Sequence, residues 1–579
     1  MANRAANAAA AAAAGVACAP QNSVDRNRAG QPIRATTVTA TMTMTMTATM
    51  TATTPRMTHH PSTDVSRFYL TTAIDYANGD PHLGHALEKI GADVIARYHR
   101  LRGDDVHLLI GMDEHGQKVQ QTAASQGVAP QAFTDQIAAR FQATWAELGI
   151  EYDQFIRTTD AHHKTGVQAL IRRIAERNPD DFYERSYRGM YCVGCEAFKQ
   201  DADIVDGKCV LHPTRTLEEV EERNWFFRLS RYQPFLQRLL SEHPSYIEPE
   251  SRRNEILGLL AQGLEDISAS RSRLDWAVPF PMPLSTGEIQ GTYVWFDALP
   301  NYLTATGFPD AGYEHRWPAD LHIIGKDITR FHVVIWPAML EAAGLPLPKQ
   351  VWAHGFVQLG GERFSKSAGV KLDLGEAIAR FGADAFRYVL LREVPYDGDG
   401  NFSWERFEER YTSDLANALG NLASRAIAMV EKYCDAVVPT APAPEAEAGD
   451  DEDLRAYHSA MDGSRGWLLH EGLAAVARMT ARANEYTQAT APWQLAKDPL
   501  RRGELEQCLA SLIRRLARQA VLLAPFMPEK SQALWVQLGG AGAVASQRFD
   551  GVPALDAAGW TVHKGEGLFP RPVSDAKSS

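Results

Sequence analysis

The run Phe68-Tyr69-Leu70-Thr71-Thr72-Ala73-Ile74 reads as a strand, and the apolar positions Leu87, Ile90, Val94, Tyr98 and Leu101 then recur at helical spacing until Gly103 stops them. A second apolar run, Val106 to Ile110, follows. Strand, helix and strand in this order predict a β-α-β unit, with parallel strands and the helix packed across them. Ligands of such sheets bind beyond the carboxyl ends of the strands. Two polar, glycine-bearing segments fall on that rim: His82-Leu83-Gly84-His85, where the helix begins, and Gly111-Met112-Asp113-Glu114-His115-Gly116, where the second strand ends.

The rhythm breaks over Tyr183 to Pro249, where a cysteine-rich segment precedes aromatic sequence around Trp225-Phe226-Phe227. Strand signals return at Thr292-Tyr293-Val294-Trp295-Phe296 and Leu321-His322-Ile323-Ile324, the second leading into a helix over Phe331 to Ala343. The sheet is therefore expected to be split around an insertion. From Trp404 the pattern is helical, interrupted by Pro, Ala, Glu and Asp from Val438 to Asp453, which reads as a linker. The expected organisation is a disordered low-complexity extension over 1–66, an α/β domain over 67–182 and 251–403, an insertion over 183–250, a helical bundle over 404–570 and a tail over 571–579.

Composition alters this picture at the front of the chain. The 579 residues are 45% hydrophobic and 22% charged, ordinary for a multidomain globular protein. No stretch approaches the roughly 18 apolar residues of a membrane-spanning helix. The net charge of −12 means that a polyanionic partner must be met by local basic patches. The extension carries seven alanines from Ala8 to Ala14 and a Thr/Met/Ala repeat from Thr41, and its residues up to Met57 carry Arg4, Arg26, Arg28, Arg34 and Arg56 against the single acid Asp25. A disordered extension or a misassigned start upstream of Met57 is preferred, with a cytoplasmic location; an organelle transit peptide is the alternative.

The six cysteines, Cys18, Cys192, Cys195, Cys209, Cys434 and Cys508, are too sparse for a disulfide framework. Cys192-Val-Gly-Cys195 and, after thirteen residues, Cys209-Val-Leu-His212 form two close ligand pairs, the spacing of tetrahedral zinc. Four protein ligands leave no open position, so the expected role is structural. At His82-Leu83-Gly84-His85, two imidazoles flank a glycine at a helix N-terminus, where a polyphosphate can approach closely and meet donors. A second phosphate candidate is the polar loop Arg363-Phe364-Ser365-Lys366-Ser367, whose Lys366 can stabilise charge gathering on a phosphate. Alone, such a loop is usually just solvated surface.

Together, these two segments resemble the paired signatures of class I aminoacyl-tRNA synthetases. Over residues 67–570 the chain is similar to the methionyl-tRNA synthetase family, through Ala77-Asn78-Gly79-Asp80-Pro81 leading into His82, Asp113-Glu114-His115-Gly116, Tyr293-Val294-Trp295-Phe296-Asp297-Ala298, Ile324-Gly325-Lys326-Asp327-Ile328, Asn421-Leu422-Ala423-Ser424-Arg425 and Ala491-Pro492-Trp493. The resemblance implies a split, parallel-sheet, Rossmann-like catalytic domain, a zinc-bearing insertion and an α-helical anticodon-binding bundle. Two departures stand out: Arg363-Phe364 replaces the family's Lys-Met, and Asp75 stands where proline or tyrosine is usual.

The implied activity is methionine–tRNA ligation: methionine and ATP, with Mg²⁺, give methionyl-adenylate and pyrophosphate, and methionine then passes to the 3′ end of initiator or elongator tRNA(Met). His82, His85 and Lys366 are the implied catalytic residues; Gly84, Gly325, Asp327 and Val357 join them around ATP. Asp113 is expected to meet the α-ammonium, with Ile74, Tyr76, Trp295, Ala298, Leu299, Tyr302, Ile328 and His332 lining the methionine pocket. Such a pocket suits an adaptable thioether but discriminates a methylene by only about 10 to 200-fold, and the insertion is too short for a separate editing domain. Asn421, Arg425, Pro492 and Trp493 are expected at the anticodon, with Trp493 as a bundle anchor the alternative. Arg501, Arg502, Arg514, Arg515 and Arg518 read as further phosphate contacts or as an exposed basic helix face. A small nucleotidyltransferase and a silent tRNA-binding paralogue are the competing classes; the first lacks the bundle, and retention of both histidines and Lys366 argues against the second. A monomer is expected.

Overall fold

The computed structural model describes residues 65–570, apart from 193–196, 200–203, 211, 273, 360–361 and 364–373. Its centre is a seven-stranded sheet running Ile247–Glu248, Val351–His354, Leu321–Gly325, Arg67–Thr72 and Asp105–Asp113, the last also pairing with Asp75–Tyr76 and Gln154–Arg157. Every pairing in it is parallel, as strands joined through crossover helices require. Thr71 stands opposite Leu109 but Asp75 opposite Met112, so one extra residue is accommodated at Ala73-Ile74. This bulge bends the strand beside the rim and re-aims its side chains.

The first helix, Leu83–Arg102, is capped by the His82 side chain and ends on Gly103 at φ 98°, whose N–H reaches the carbonyls of His99 and Arg100. It lies in a core shared with Pro130–Glu147 and continuous with the helical region through residues such as Leu473 and Leu512. On the other face, Ala161–Arg177 and Trp336–Ala343 build a second core. Arg387, fully buried on helix Ala383–Glu393, joins the catalytic and helical regions. It donates to Asp93 Oδ2 at 2.6 Å and to the carbonyls of Pro525 and Phe526 at 2.9 Å each.

The insertion is built on an antiparallel pair, Phe182–Cys192 and Glu218–Phe227, that puts Cys192 at the far tip. Ile247–Glu248 already belongs to the parallel sheet while Ile267–Ser268 returns to the antiparallel one, so the two sheets interleave along the chain.

Three sequence expectations change. The strand expected over Thr292–Phe296 is a two-residue strand, Gly291–Thr292, followed by the helix Val294–Ala298. Its β-branched and aromatic residues imitate a strand, but burial of Val294, Phe296, Asp297 and Ala298 in one short helix wins over local propensity. The linker is in part the helix Ala448–Met461. Arg514, Arg515 and Arg518 are neither phosphate contacts nor an exposed face: Arg515 pairs with Asp450 at 2.7 and 2.8 Å, and Arg514 and Arg518 reach Glu447 at 3.0 and 3.4 Å, all buried. Acids of the expected linker supply their counter-charges. Arg501 and Arg502 are exposed and engaged by Glu504 and Glu506. Among the described residues, no helix is long and apolar enough to cross a membrane.

Candidate active site

At the rim, His82 Nδ1 accepts from the backbone N–H groups of Gly84 (3.2 Å) and His85 (3.4 Å), while the His82 N–H donates to His85 Nδ1 at 3.3 Å. The two rings stack with centroids 3.5 Å apart. Since each Nδ1 is an acceptor, each neutral ring carries its proton on Nε2. Capping thus selects the tautomer in which Nε2–H is the donor of each ring, on two rings that stand at a helix N-terminus, where anions are favoured. A Cβ on Gly84 would sit 3.1 Å from His82 Cε1, so a side chain there would crowd the capping imidazole.

The expected amino-acid wall is aromatic and layered. Trp295 stacks on Phe331 at 3.7 Å, and Tyr302 donates its O–H to His332 Nε2 at 2.6 Å. Burial pushes His332 down to about 4, so the ring is neutral and its Nδ1–H donates to the Ile328 carbonyl at 3.1 Å. Ala298, Leu299, Tyr302 and His332 are buried; Ile74, Tyr76, Trp295 and Ile328 are half-buried. Asp113 ends its strand directly opposite Tyr76.

Sequence reasoning missed the groups that hold this wall. Asp297 Oδ2 lies 2.6 Å from His115 Nδ1, and its Oδ1 lies 3.0 Å from His163 Nε2. The helix carrying Trp295 and Ala298 is thereby pinned to the loop just beyond Asp113. Burial works against the Asp297 charge, but the two histidines outweigh it and hold the carboxyl at about 2. An acid inside the apolar run Trp295-Phe296-Asp297-Ala298 was the available signal.

Gly325 closes the strand Leu321–Gly325 and Asp327 lies in the 3-10 turn that follows it, while Val357 opens Val357–Leu359, a strand of a separate three-stranded sheet. A Cβ on Gly325 would meet Asp327 Oδ1 at 2.9 Å. Asp399, also unforeseen, fastens this edge: it accepts from Lys326 Nζ at 2.6 Å and from the Phe356 N–H at 2.8 Å. Lys326 also lies over the Phe356 ring at 4.4 Å.

Lys366, Ser365 and Phe364 lie outside the described residues, as does Cys195. Cys192 and Cys209 are buried together with Leu217 in a small cluster, and the His212 backbone stands opposite Cys209 across a hairpin. Among the described residues, no three potential metal ligands are gathered.

Far along the bundle, Ala491 adopts a left-handed conformation, φ 43°, breaking Leu469–Thr490 from the short helix Pro492–Leu495. Pro492 is buried and Trp493 half-buried, with the Arg425 guanidinium 5.4 Å from the Trp493 ring centre; Asn421 is exposed one turn earlier.

The sequence family described as tRNA synthetases class I (M) matches residues 68–217 and 200–427. The methionine–tRNA ligase of Caldanaerobacter subterraneus subsp. tengcongensis is 42% identical over 87% of this chain and 78% of its own length. That of Streptomyces coelicolor is 41% identical over 87% of this chain and 96% of its own. Among solved structures, Mycobacterium tuberculosis methionyl-tRNA synthetase in complex with methionyl-adenylate superposes with a TM-score of 0.82 at 38% identity, covering 88% of this chain and 100% of that one. Its apo form gives 0.77 at 36% identity, covering 88% of this chain and 98% of that one. With the family signature crossing both halves of the sheet and similarity extending along most of its length, the chain belongs to the methionyl-tRNA synthetases of class I.

Proposed function

We propose that the chain activates methionine with ATP and transfers it to tRNA(Met), initiator and elongator alike. A methionine carboxylate oxygen attacks the α-phosphorus, and the bond to the pyrophosphate oxygen breaks. A terminal ribose hydroxyl then attacks the activated carbonyl, and AMP leaves with the bridging oxygen. No enzyme nucleophile is needed, so catalysis is positioning and charge stabilisation. The Nε2–H groups of His82 and His85 meet the phosphates and Lys366 supports the departing pyrophosphate; Mg²⁺ bound with ATP would supply further neutralisation of phosphate charge. Gly325, Asp327 and Val357 receive the adenosine. Asp113 pairs with the α-ammonium, while Trp295, Tyr302 and His332, with Ile74, Tyr76, Ala298, Leu299 and Ile328, enclose the thioether, an adaptable group favoured against aromatic rings.

The observation that carries this reading is one rim holding both a two-histidine helix cap and a buried aromatic wall with a carboxylate at its edge. Methionine-dependent exchange of pyrophosphate into ATP tests it: exchange with methionine and not with other amino acids is expected, and no exchange with methionine refutes it.

Two further parts of the reading concern metal and tRNA. The buried thiols of Cys192 and Cys209, with His212 across the hairpin, suit a structural zinc completed by Cys195, which would tie the tip of the insertion together. Elemental analysis is expected to return one zinc per chain. At the bundle, Asn421, Arg425, Pro492 and Trp493 receive the anticodon, with an unpaired base stacking on Trp493. The enzyme acts as a monomer, a mass that light scattering checks.

A further inference from the structure

Lys89 lies one turn beyond His85 and is fully buried. Its ammonium has three protons and uses all of them: on the Ala73 carbonyl at 2.7 Å, Asp75 Oδ1 at 3.0 Å and Glu88 Oε1 at 2.7 Å. Ala73 belongs to the strand bulge, and Ala73 and Asp75 enclose Ile74 in the chain and lead directly to Tyr76. The second Glu88 oxygen takes His354 Nε2 at 3.2 Å, at the end of the strand that precedes Val357. One cation therefore connects the bulge, the helix bearing His82 and His85, and, through Glu88, the edge expected to receive adenosine.

The cluster has two carboxylates for one ammonium, in a site without water-exposed atoms to spare. Asp75 is the weaker partner: its Oδ2 is buried without a hydrogen-bond partner, and burial, only partly offset by Lys89, pushes its carboxyl up to about 7. Keeping such a group at this depth costs stability, since a size-matched apolar pair is often as stable as a buried ion pair or more so. What the pair provides is a fixed distance between two substrate-binding segments that share no direct strand pairing.

We propose that Lys89, bridging Asp75 and Glu88, is a positioning residue that holds the methionine wall and the phosphate-binding helix in one fixed geometry. This rests on the methionine-activation reading above. The test is pyrophosphate exchange by the full-length enzyme, varying methionine and ATP separately, with thermal midpoints measured alongside. Lys89→Met is expected to raise KM for both substrates by about tenfold or more, because small misplacements at a reacting centre are costly. Asp75→Asn keeps one acceptor for Lys89 and is expected to raise the methionine KM alone, by a smaller factor. Arg97→Met, which breaks the neighbouring pair with Asp93 on the same helix (2.9 Å), is expected to lower the midpoint while leaving both KM values unchanged. If Lys89→Met does not fold, the triple change Asp75→Asn, Glu88→Gln and Lys89→Met removes all three charges at matched size and is expected to fold with the same raised KM values. Wild-type KM values in either folded Lys89 variant overturn the proposal while leaving methionine activation intact. Absence of exchange in the unaltered enzyme overturns both.

Discussion

Asp297→Asn removes one carboxylate oxygen from between two histidines. Asp297 now accepts from His115 at 2.6 Å and from His163 at 3.0 Å, fully buried. Asparagine retains one acceptor and turns an amide N–H toward the other ring, donor against donor. A hydrogen bond to a charged group contributes about 1.5–3 kcal/mol, and a buried unsatisfied donor costs about 1–3 kcal/mol, so the change should destabilise by about 3–5 kcal/mol. Because Asp297 lies between Trp295 and Ala298 and holds His115 just past Asp113, the loss should also reach the amino-acid site. The methionine KM in pyrophosphate exchange is expected to rise about tenfold or more, and the ATP KM by less than about threefold. Acid unfolding gives a second readout. The carboxyl is depressed from 3.8 to about 2, so its contribution, about 2 kcal/mol, is present above pH 4 and is lost as pH falls toward 2; the variant should lack that segment of the profile. A folded Asp297→Asn enzyme with an unchanged methionine KM would refute the idea that this carboxylate sets the wall.

Three other outcomes follow from the same geometry. Trp493→Ala should reduce tRNA charging by about 5 to 150-fold, the loss of about 1–3 kcal/mol of base stacking, while sparing pyrophosphate exchange; equal loss in both assays would mean a folding defect instead. Arg515→Met should destabilise by less than the about 3–5 kcal/mol of a stranded buried charge, because Arg482 still reaches Asp450 Oδ1 at 3.2 Å, and Arg515→Met with Asp450→Leu should recover most of the loss in a thermal melt. The Asp75 carboxyl is raised from 3.8 to about 7, so its protonated form favours the folded state, and that stability is lost as pH rises from about 4 through 7; Asp75→Asn should flatten the urea midpoint across this range.

Much of the architecture is legible in local pattern. Helical spacing from Leu87 to Leu101 and the apolar runs on either side announce the first β-α-β unit, and that unit alone puts His82 and Asp113 on one rim. What local pattern cannot carry is a partner elsewhere in the chain. Asp297 acquires its meaning from His115 and His163, 182 and 134 residues earlier. Asp399 acquires its own from Lys326, 73 residues away. The arginines of helix Arg502–Leu523 look solvated because their acids, Glu447 and Asp450, sit in a stretch whose proline and alanine content reads as linker. Thr292 to Phe296 misleads for the opposite reason: its local preference is clear, and packing overrides it.

The Arg387 junction has a consequence for how the chain is made. Its guanidinium leaves the ribosome well before the carbonyls of Pro525 and Phe526, which lie 138 and 139 residues later. At about 5–20 residues per second that interval is about 7–28 s, during which the helix bearing the two histidines packs against an incomplete neighbour. The core below the rim is thus closed by one of the last helical segments to be synthesised. A nascent enzyme should gain protease resistance in its first helix only after Phe526 has emerged.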